Sequence, residues 1–359
     1  MPHYLGSRDL PRDGGERVGV LLVNSGSPDS ASARDVRRFL RGLLSDPRVV
    51  ELPRWLWLPI LHGIILPIRP LRSRQRYREM FDAGRSPLLL LSEALRAGLE
   101  DELAQRLAAP VSVAIGMLYS SPSVEAAMQG LLDGGARRML VLPLFPQYCG
   151  VTTGAVIDRV GKVLGRLRWV PELRYVTDYH DDADHIEALR ASIAAHWATH
   201  GRTSHLLLSW HGVPSAYCEK GDPYRERCHA TARRLAEALQ LHDGEWSVAF
   251  QSRFGGGRWL RPYTEEVLES LPARGVHSVT VACPGFAVDC LETLDEIAVE
   301  DRARFLRVGG TRLDYVPALN ARPEQVEALG RLVVAHARGW IGAAAARAAG
   351  GFPRIVSGS

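Results

Sequence analysis

The chain has 359 residues, of which 46% are hydrophobic and 23% charged, and its formal net charge is +4. That length exceeds a single compact core and implies two domains of ordinary size, and the composition describes a soluble globular protein. The slight arginine excess is far from the basic footprint of a nucleic-acid binder, so no nucleic-acid partner is expected.

Residues 1–17 are polar, carry no apolar core of a signal peptide, and read as a flexible tail. The first strand is Val18–Val23, ending in Asn24-Ser25-Gly26-Ser27-Pro28, and Ser30–Leu44 reads as a helix. Trp55 to Ile68 is an apolar run holding two prolines, with Arg54 before it and Arg69, Arg72, Arg74, Arg76 and Arg78 after it. It is too short and too broken to span a bilayer, and no other stretch reaches the roughly 18–20 apolar residues that would. Tryptophans and aliphatics edged by arginines suit a surface dipping into an anionic membrane interface, and suit a segment packed against the core equally well.

A helix from Ser86-Pro87 to Leu107 leads to a second strand, Val111–Met117. A helix through Leu132 and a third strand, Arg138–Phe145, follow, then Pro146-Gln147-Tyr148-Cys149 and a fourth strand within Trp169–Val176. This alternation of strand and helix implies a parallel sheet. After a short acidic crossover, Asp178 to Ala183, the rhythm repeats. Helix Ile186–His200 precedes strands ending at His211, Ser252, Cys283 and Val316, and a helix from Arg322 to Ile341 returns to the first half. The expected fold is α/β: two Rossmann-like domains, each a small parallel sheet flanked by helices, facing one another across a cleft. The boundaries are 18–180 plus a C-terminal helix 322–345, with a lip at 54–80, and 181–321; residues 346–359 form a tail.

In such sheets, residues just past the carboxyl ends of strands line the ligand crevice. Leu206-Leu207-Leu208-Ser209-Trp210-His211-Gly212-Val213-Pro214 places His211 there. On that motif alone, a core or strand-end histidine bonded to a backbone carbonyl is favoured over a functional one. Past Cys283, a helical reading aligns Asp289, Glu292, Glu296 and Glu300 in one carboxylate stripe. A solvated acidic face and a path for protons or hard cations both fit it. A Gly-x-Gly-x-x-Gly turn is missing after the first strand, Gly255-Gly256-Gly257 lacks the Lys-Ser/Thr of a phosphate loop, and no Gly-x-Ser-x-Gly elbow occurs. The five cysteines form no CxxC pair, and Cys218 and Cys228 lack a zinc or cluster spacing, which suits a reducing compartment.

Five motifs in order then make the chain resemble the ferrochelatase family over Gly19 to about Pro317. They are Leu142-Pro-Leu-Phe-Pro-Gln-Tyr148 with Thr152-Thr153-Gly154, Ser209–Pro214 with Gly221-Asp222-Pro223-Tyr224, and Phe250-Gln251-Ser252-Arg253-Phe254. Trp259-Leu260 with Pro262-Tyr263-Thr264, and Pro284-Gly285-Phe286 with Asp289–Leu294, complete the set. The resemblance implies insertion of ferrous iron into protoporphyrin IX, with two pyrrole protons released, in a cleft between the two domains. It casts His211 as proton acceptor, iron ligand or both, Glu292 as its partner across the macrocycle, and Glu296 and Glu300 as an acidic path that meets the metal. Ser25, Tyr148, Ser252, Trp259 and Pro284 would contact the porphyrin, and Trp55–Ile68 would be a membrane-facing lip.

Ferrous iron is then a substrate, and no tightly bound cofactor is expected. A [2Fe-2S] cluster is not expected, because no cysteine follows Cys290. The chain departs from the family pattern at Ser25, at Leu118 where arginine is usual, and at Gly255–Arg258. Those departures motivate two further readings: a non-catalytic porphyrin- or heme-binding paralogue, and a chelatase for another tetrapyrrole such as coproporphyrin. A cytoplasmic protein, peripheral at the inner face of the membrane, is expected, and monomer and homodimer both fit the sequence.

Overall fold

The computed structural model describes residues 4, 17–81, 84–107, 110–253 and 256–340. Most of the expected N-terminal tail, Phe254 and Gly255, the end of the expected 322–345 helix and the 346–359 tail lie outside the described residues.

Two four-stranded, all-parallel sheets organise the chain. The first comprises β1 (Arg17–Asn24), β2 (Val111–Met117), β3 (Ala136–Pro143) and β4 (Glu172–Tyr175), in the order β2-β1-β3-β4. The second comprises β5 (His205–His211), β6 (Trp246–Gln251), β7 (Ser278–Ala282) and β8 (Arg312–Val316), in the order β6-β5-β7-β8. The halves therefore repeat one topology. Strands β1 and β5 read as continuous apolar runs because central parallel strands are covered on both faces. In each sheet the strand order reverses at a central pair, β1/β3 and β5/β7, and ligand crevices form outside the carboxyl ends at such a point. That topology sends His211, at the end of β5, and the segment after β7 to the same edge.

Helices cover both faces of each sheet. In the first half, α1 (Ala33–Leu44), α5 (Val124–Asp133) and α6 (Ala155–Leu164) build one core around Leu21, Val23, Met139 and Val141. Ser32 and Ser123 cap α1 and α5 by accepting from backbone N–H groups three residues on, at 3.2 Å each. The opposite face is covered by α4 (Pro87–Arg106), opened by proline at its first position, and by α12 (Pro323–His336). In the second half, α7 (Ala183–His200) and α9 (Tyr224–Ala238) cover one face, and α10 (Thr264–Ser270) and α11 (Arg302–Arg307) the other. The short α8 (Ser215–Glu219) follows directly on the β5 turn. Ala287, Val288 and Cys290 reach into the α4/α12 core, so the two halves share buried apolar surface.

The apolar run after Arg54 is helical throughout. It consists of α2 (Arg54–Ile60), a π-helical turn at Leu61–Ile65 and α3 (Leu66–Met80). Pro59 and Pro70 lie inside the flanking helices, and proline or π insertion is a usual cause of bending. The two readings of this segment divide it by residue. Trp57, Leu61, Leu66 and Tyr77 enter the first core, and the Trp57 indole donates to Leu44 O at 2.7 Å. Trp55 is 79% exposed, and Leu56, Ile64, Ile68 and Leu71 are exposed with it. Among the described residues no helix is long and apolar enough to cross a membrane.

Candidate active site

His211 is half-buried at the carboxyl end of β5. Its Nδ1 lies 2.7 Å from Gly212 O. A carbonyl only accepts, so Nδ1 carries a proton, and in the neutral ring Nε2 is the lone-pair nitrogen. Gly212 is required by closeness: a Cβ there would stand 3.0 Å from Gln251 O and 3.4 Å from the Trp259 ring. Half-buried Trp259 thereby packs beside the His211 turn, held by the Pro214–Trp259 bridge. Behind the turn, Trp210 is fully buried, and a Cβ on Gly285 would come within 2.7 Å of it, so the Pro284-Gly285 turn after β7 fits tightly under β5. Pro284 itself is buried in that turn.

The acidic segment is a π-helix, Glu292–Asp301, instead of the expected α-helix. Hydrogen bonding from i to i+5 widens each turn, so residues five apart come into line where the expected stripe needs three and four. This register splits the expected single row into two pairs. The outer pair is Asp295 with Glu300, both facing Arg76 of α3. Glu300 bonds Arg76 directly, and Arg76 Nε lies 3.7 Å from Asp295 Oδ2. The inner pair is Glu296 with Asp301. Glu300 therefore stands on the α3 side of the π-helix and not in line with Glu296.

Asp289 is no part of the row. It precedes the π-helix, is buried, and accepts from Thr293 Oγ1 (2.9 Å), Tyr315 Oη (2.5 Å), Ala318 N (3.2 Å) and Asn320 Nδ2 (2.7 Å). Four donors on one carboxylate make it a structural anchor.

Glu296 is fixed from the end of β6. Ser252 N donates to its Oε1 at 2.7 Å, and Ser252 Oγ bonds Oε2. Burial raises the Glu296 pKa, while the Ser252 hydrogen bonds and the neighbouring His211 oppose that rise. Ser252, expected to contact substrate, is thus occupied by the acidic segment, and its φ of +62° shows how far the chain turns to make that bond. Asp301, 5% exposed, is pushed up to about 7, first by burial and next by Glu296.

The sign of this last shift sets a test. A carboxyl raised above its unfolded value of 3.8 contributes stability that is complete below that value and is lost progressively as pH rises from there to about 7. Asp301→Asn is therefore expected to stabilise the protein by roughly 2 kcal/mol at pH 8 and hardly at all at pH 4. Thermal melts at the two pH values measure it; an equal effect at both would contradict the assignment.

His211 and the π-helix follow adjacent strands of one sheet, and Glu296 is the carboxylate beside His211. The second sheet thus carries both His211 and Glu292. Glu292 is half-buried near Cys290, Glu296 and Tyr77 of α3, and its carbonyl accepts from Gln251 Nε2 at 2.8 Å. Sequence reasoning misses Gln251 as a site residue, yet it also accepts from Ser209 Oγ at 2.7 Å and so fastens β5 to the π-helix. Polar residues at the end of an otherwise apolar strand are the signal that marks it.

The first half supplies Ser25 and Tyr148, both half-buried, at the ends of β1 and β3. Ser25 N donates to Asn24 Oδ1 at 2.7 Å, and Tyr148 lines a cavity of about 220 Å³ with Arg48, Tyr217 and Asp222. Leu118 is buried in the first core, so no cation stands where the family pattern has arginine. A larger cavity of about 360 Å³ lies near Ser27, Ser86 and Ser120 and does not include His211. Among the described residues, no group of three or more His, Cys, Asp or Glu side chains is arranged to hold a metal ion.

The ferrochelatase family model matches residues 17–337. A ferrochelatase of Thioalkalivibrio sulfidiphilus is 48% identical over 335 residues, which cover 93% of this chain and 91% of that protein. One of Nitrosococcus oceani is 47% identical over 338 residues, covering 94% and 92%. Among solved structures, SirB from Bacillus subtilis with Fe3+ matches with a TM-score of 0.54 at 14% identity, covering 91% of this chain and 98% of that one. The sirohydrochlorin chelatase SirB in complex with cobalt matches at 0.51 and 13%, covering 90% and 97%. At such identity the structures show a shared two-sheet chelatase fold. The sequence relatives and the family model, over nearly the whole described chain, place this protein in the ferrochelatase family.

Proposed function

We propose that this protein inserts ferrous iron into protoporphyrin IX, with His211 as the first acceptor of pyrrole protons. Two N–H protons leave the macrocycle as the dication enters, so the reaction needs a base beside the ring and a route away from it. The observation that carries the reading is the Nδ1–carbonyl bond of His211, which makes Nε2 the accepting nitrogen of the neutral ring, next to a Glu296 held by Ser252. The proton passes from His211 to Glu296 and on to Asp301, its neighbour in the π register. Imidazole and carboxylate are ordinary ligands of ferrous iron, so His211, Glu292 and Glu296 also suit transient contact with the incoming metal. Ser25, Tyr148 and Trp259 bound the macrocycle, Pro284 supports the turn beneath it, and Glu300 with Arg76 fastens the π-helix to α3.

The experiment is anaerobic mixing of purified protein with ferrous iron and protoporphyrin IX, followed by the absorbance of the product. Catalytic formation of protoheme supports the reading. A folded protein that binds porphyrin without turnover would overturn it, and preference for coproporphyrin in competition would move the substrate assignment.

Trp55, Leu56, Ile64, Ile68 and Leu71 form an exposed apolar strip followed by arginines, which we read as a peripheral membrane contact for uptake of an apolar substrate. Trp55→Ser with Ile64→Ser is expected to weaken sedimentation with anionic vesicles about ten-fold. Buried Trp57 is left intact in that variant, and unchanged sedimentation would contradict the contact.

A further inference from the structure

We infer that Asp222 and Tyr224 form a strut that fixes the His211 main chain against the first half of the molecule, and that Tyr224 is a positioning residue for His211. The inference rests on the proposed role of His211.

The end of β5 needs such support. Strand β7 pairs with β5 only as far as Leu208, so Ser209, Trp210 and His211 run on without that neighbour. On the β6 side the ladder continues to His211, and Gly212 N donates to Gln251 O at 2.8 Å. The His211 carbonyl instead accepts from Tyr224 Oη at 3.0 Å. Tyr224 is buried, its hydroxyl lies between this carbonyl and the Cys228 thiol, and leaving the carbonyl unpaired would be costly.

Tyr224 is itself held at the start of α9, where its N–H donates to Asp222 Oδ1 at 3.0 Å. The other Asp222 oxygen accepts from Gly150 N at 2.7 Å and lies 3.5 Å from Cys149 Sγ. A Cβ on Gly150 would stand only 3.1 Å from that oxygen, so the loop closes tightly on the carboxylate. Cys149 and Gly150 directly follow Tyr148. One short path therefore runs from the Tyr148 loop through Asp222 and Tyr224 to the His211 peptide. Because the His211 ring is bonded to the next carbonyl, moving this main chain moves the imidazole.

The test is Tyr224→Phe, which keeps the buried ring and removes one hydroxyl, assayed beside His211→Ala. Tyr224→Phe is expected to lower kcat about ten-fold, to shift the pH dependence of kcat, and to leave the KM for porphyrin within about two-fold. Asp222→Asn is expected to reproduce that pattern. If Tyr224→Phe matches the wild type while His211→Ala abolishes insertion, the strut is wrong and the His211 reading stands. If Tyr224→Phe lowers kcat only in step with the folded fraction, with an unchanged pH profile, its role is merely structural and the inference fails. Near-normal turnover in His211→Ala would remove both.

Discussion

His211→Ala is expected to lower iron insertion by roughly 10²–10⁴-fold, the range spanned by a positioned general base, while leaving the fold and porphyrin binding intact. The ring is only half-buried, so removing it opens little core volume. What is lost is a lone-pair nitrogen whose orientation is set by the Nδ1 bond to Gly212 O. Glu296 remains, yet Ser252 holds both its oxygens in place behind His211, so it serves as the next acceptor and does not take the imidazole's position at the ring. Anaerobic turnover measured beside circular dichroism and porphyrin fluorescence separates the outcomes. A variant that folds and binds but does not turn over is the expected result; a variant near wild-type rate would remove His211 from the mechanism.

Asp289→Ala is expected to cost about 3 kcal/mol of stability or more, through a different mechanism. The carboxylate joins Thr293 at the head of the π-helix to Tyr315 of β8 and to Ala318 and Asn320 beyond it. Removing it strands several donors in a site that is 3% exposed. Denaturant unfolding measures the loss, and a change below about 0.5 kcal/mol, as at an ordinary surface position, would contradict the anchor. Because Asp289 also sets where the π-helix starts, a partly folded variant is expected to lose insertion activity as well.

The contrast between Asp289 and Glu296 shows what the sequence could and could not reveal. Strand runs bounded by turn residues locate the eight strands of the two sheets and their parallel order in two halves, because burial on both faces writes continuous apolar runs. His211 at a strand end is legible for the same reason. The partition of the acidic residues is not. Spacing read with an α-helical period joins Asp289, Glu292, Glu296 and Glu300, whereas the π register pairs Glu296 with Asp301 and sends Glu300 to Arg76. Nothing local in Glu292–Asp301 marks that change of period, since it depends on contacts made by Ser252, Gln251 and Arg76 from distant elements. Tryptophan spacing is likewise silent on which indole is inside: Trp57 finds the Leu44 carbonyl, and Trp55, two residues earlier, faces solvent.

A crystal structure with protoporphyrin IX bound tests the central claim most directly. The macrocycle is expected between the wall of His211, Glu292 and Glu296 and the side bearing Ser25 and Tyr148, with His211 Nε2 directed at the pyrrole nitrogens. A macrocycle seated instead in the cavity beside Ser27, Ser86 and Ser120, with His211 out of contact, would contradict the account.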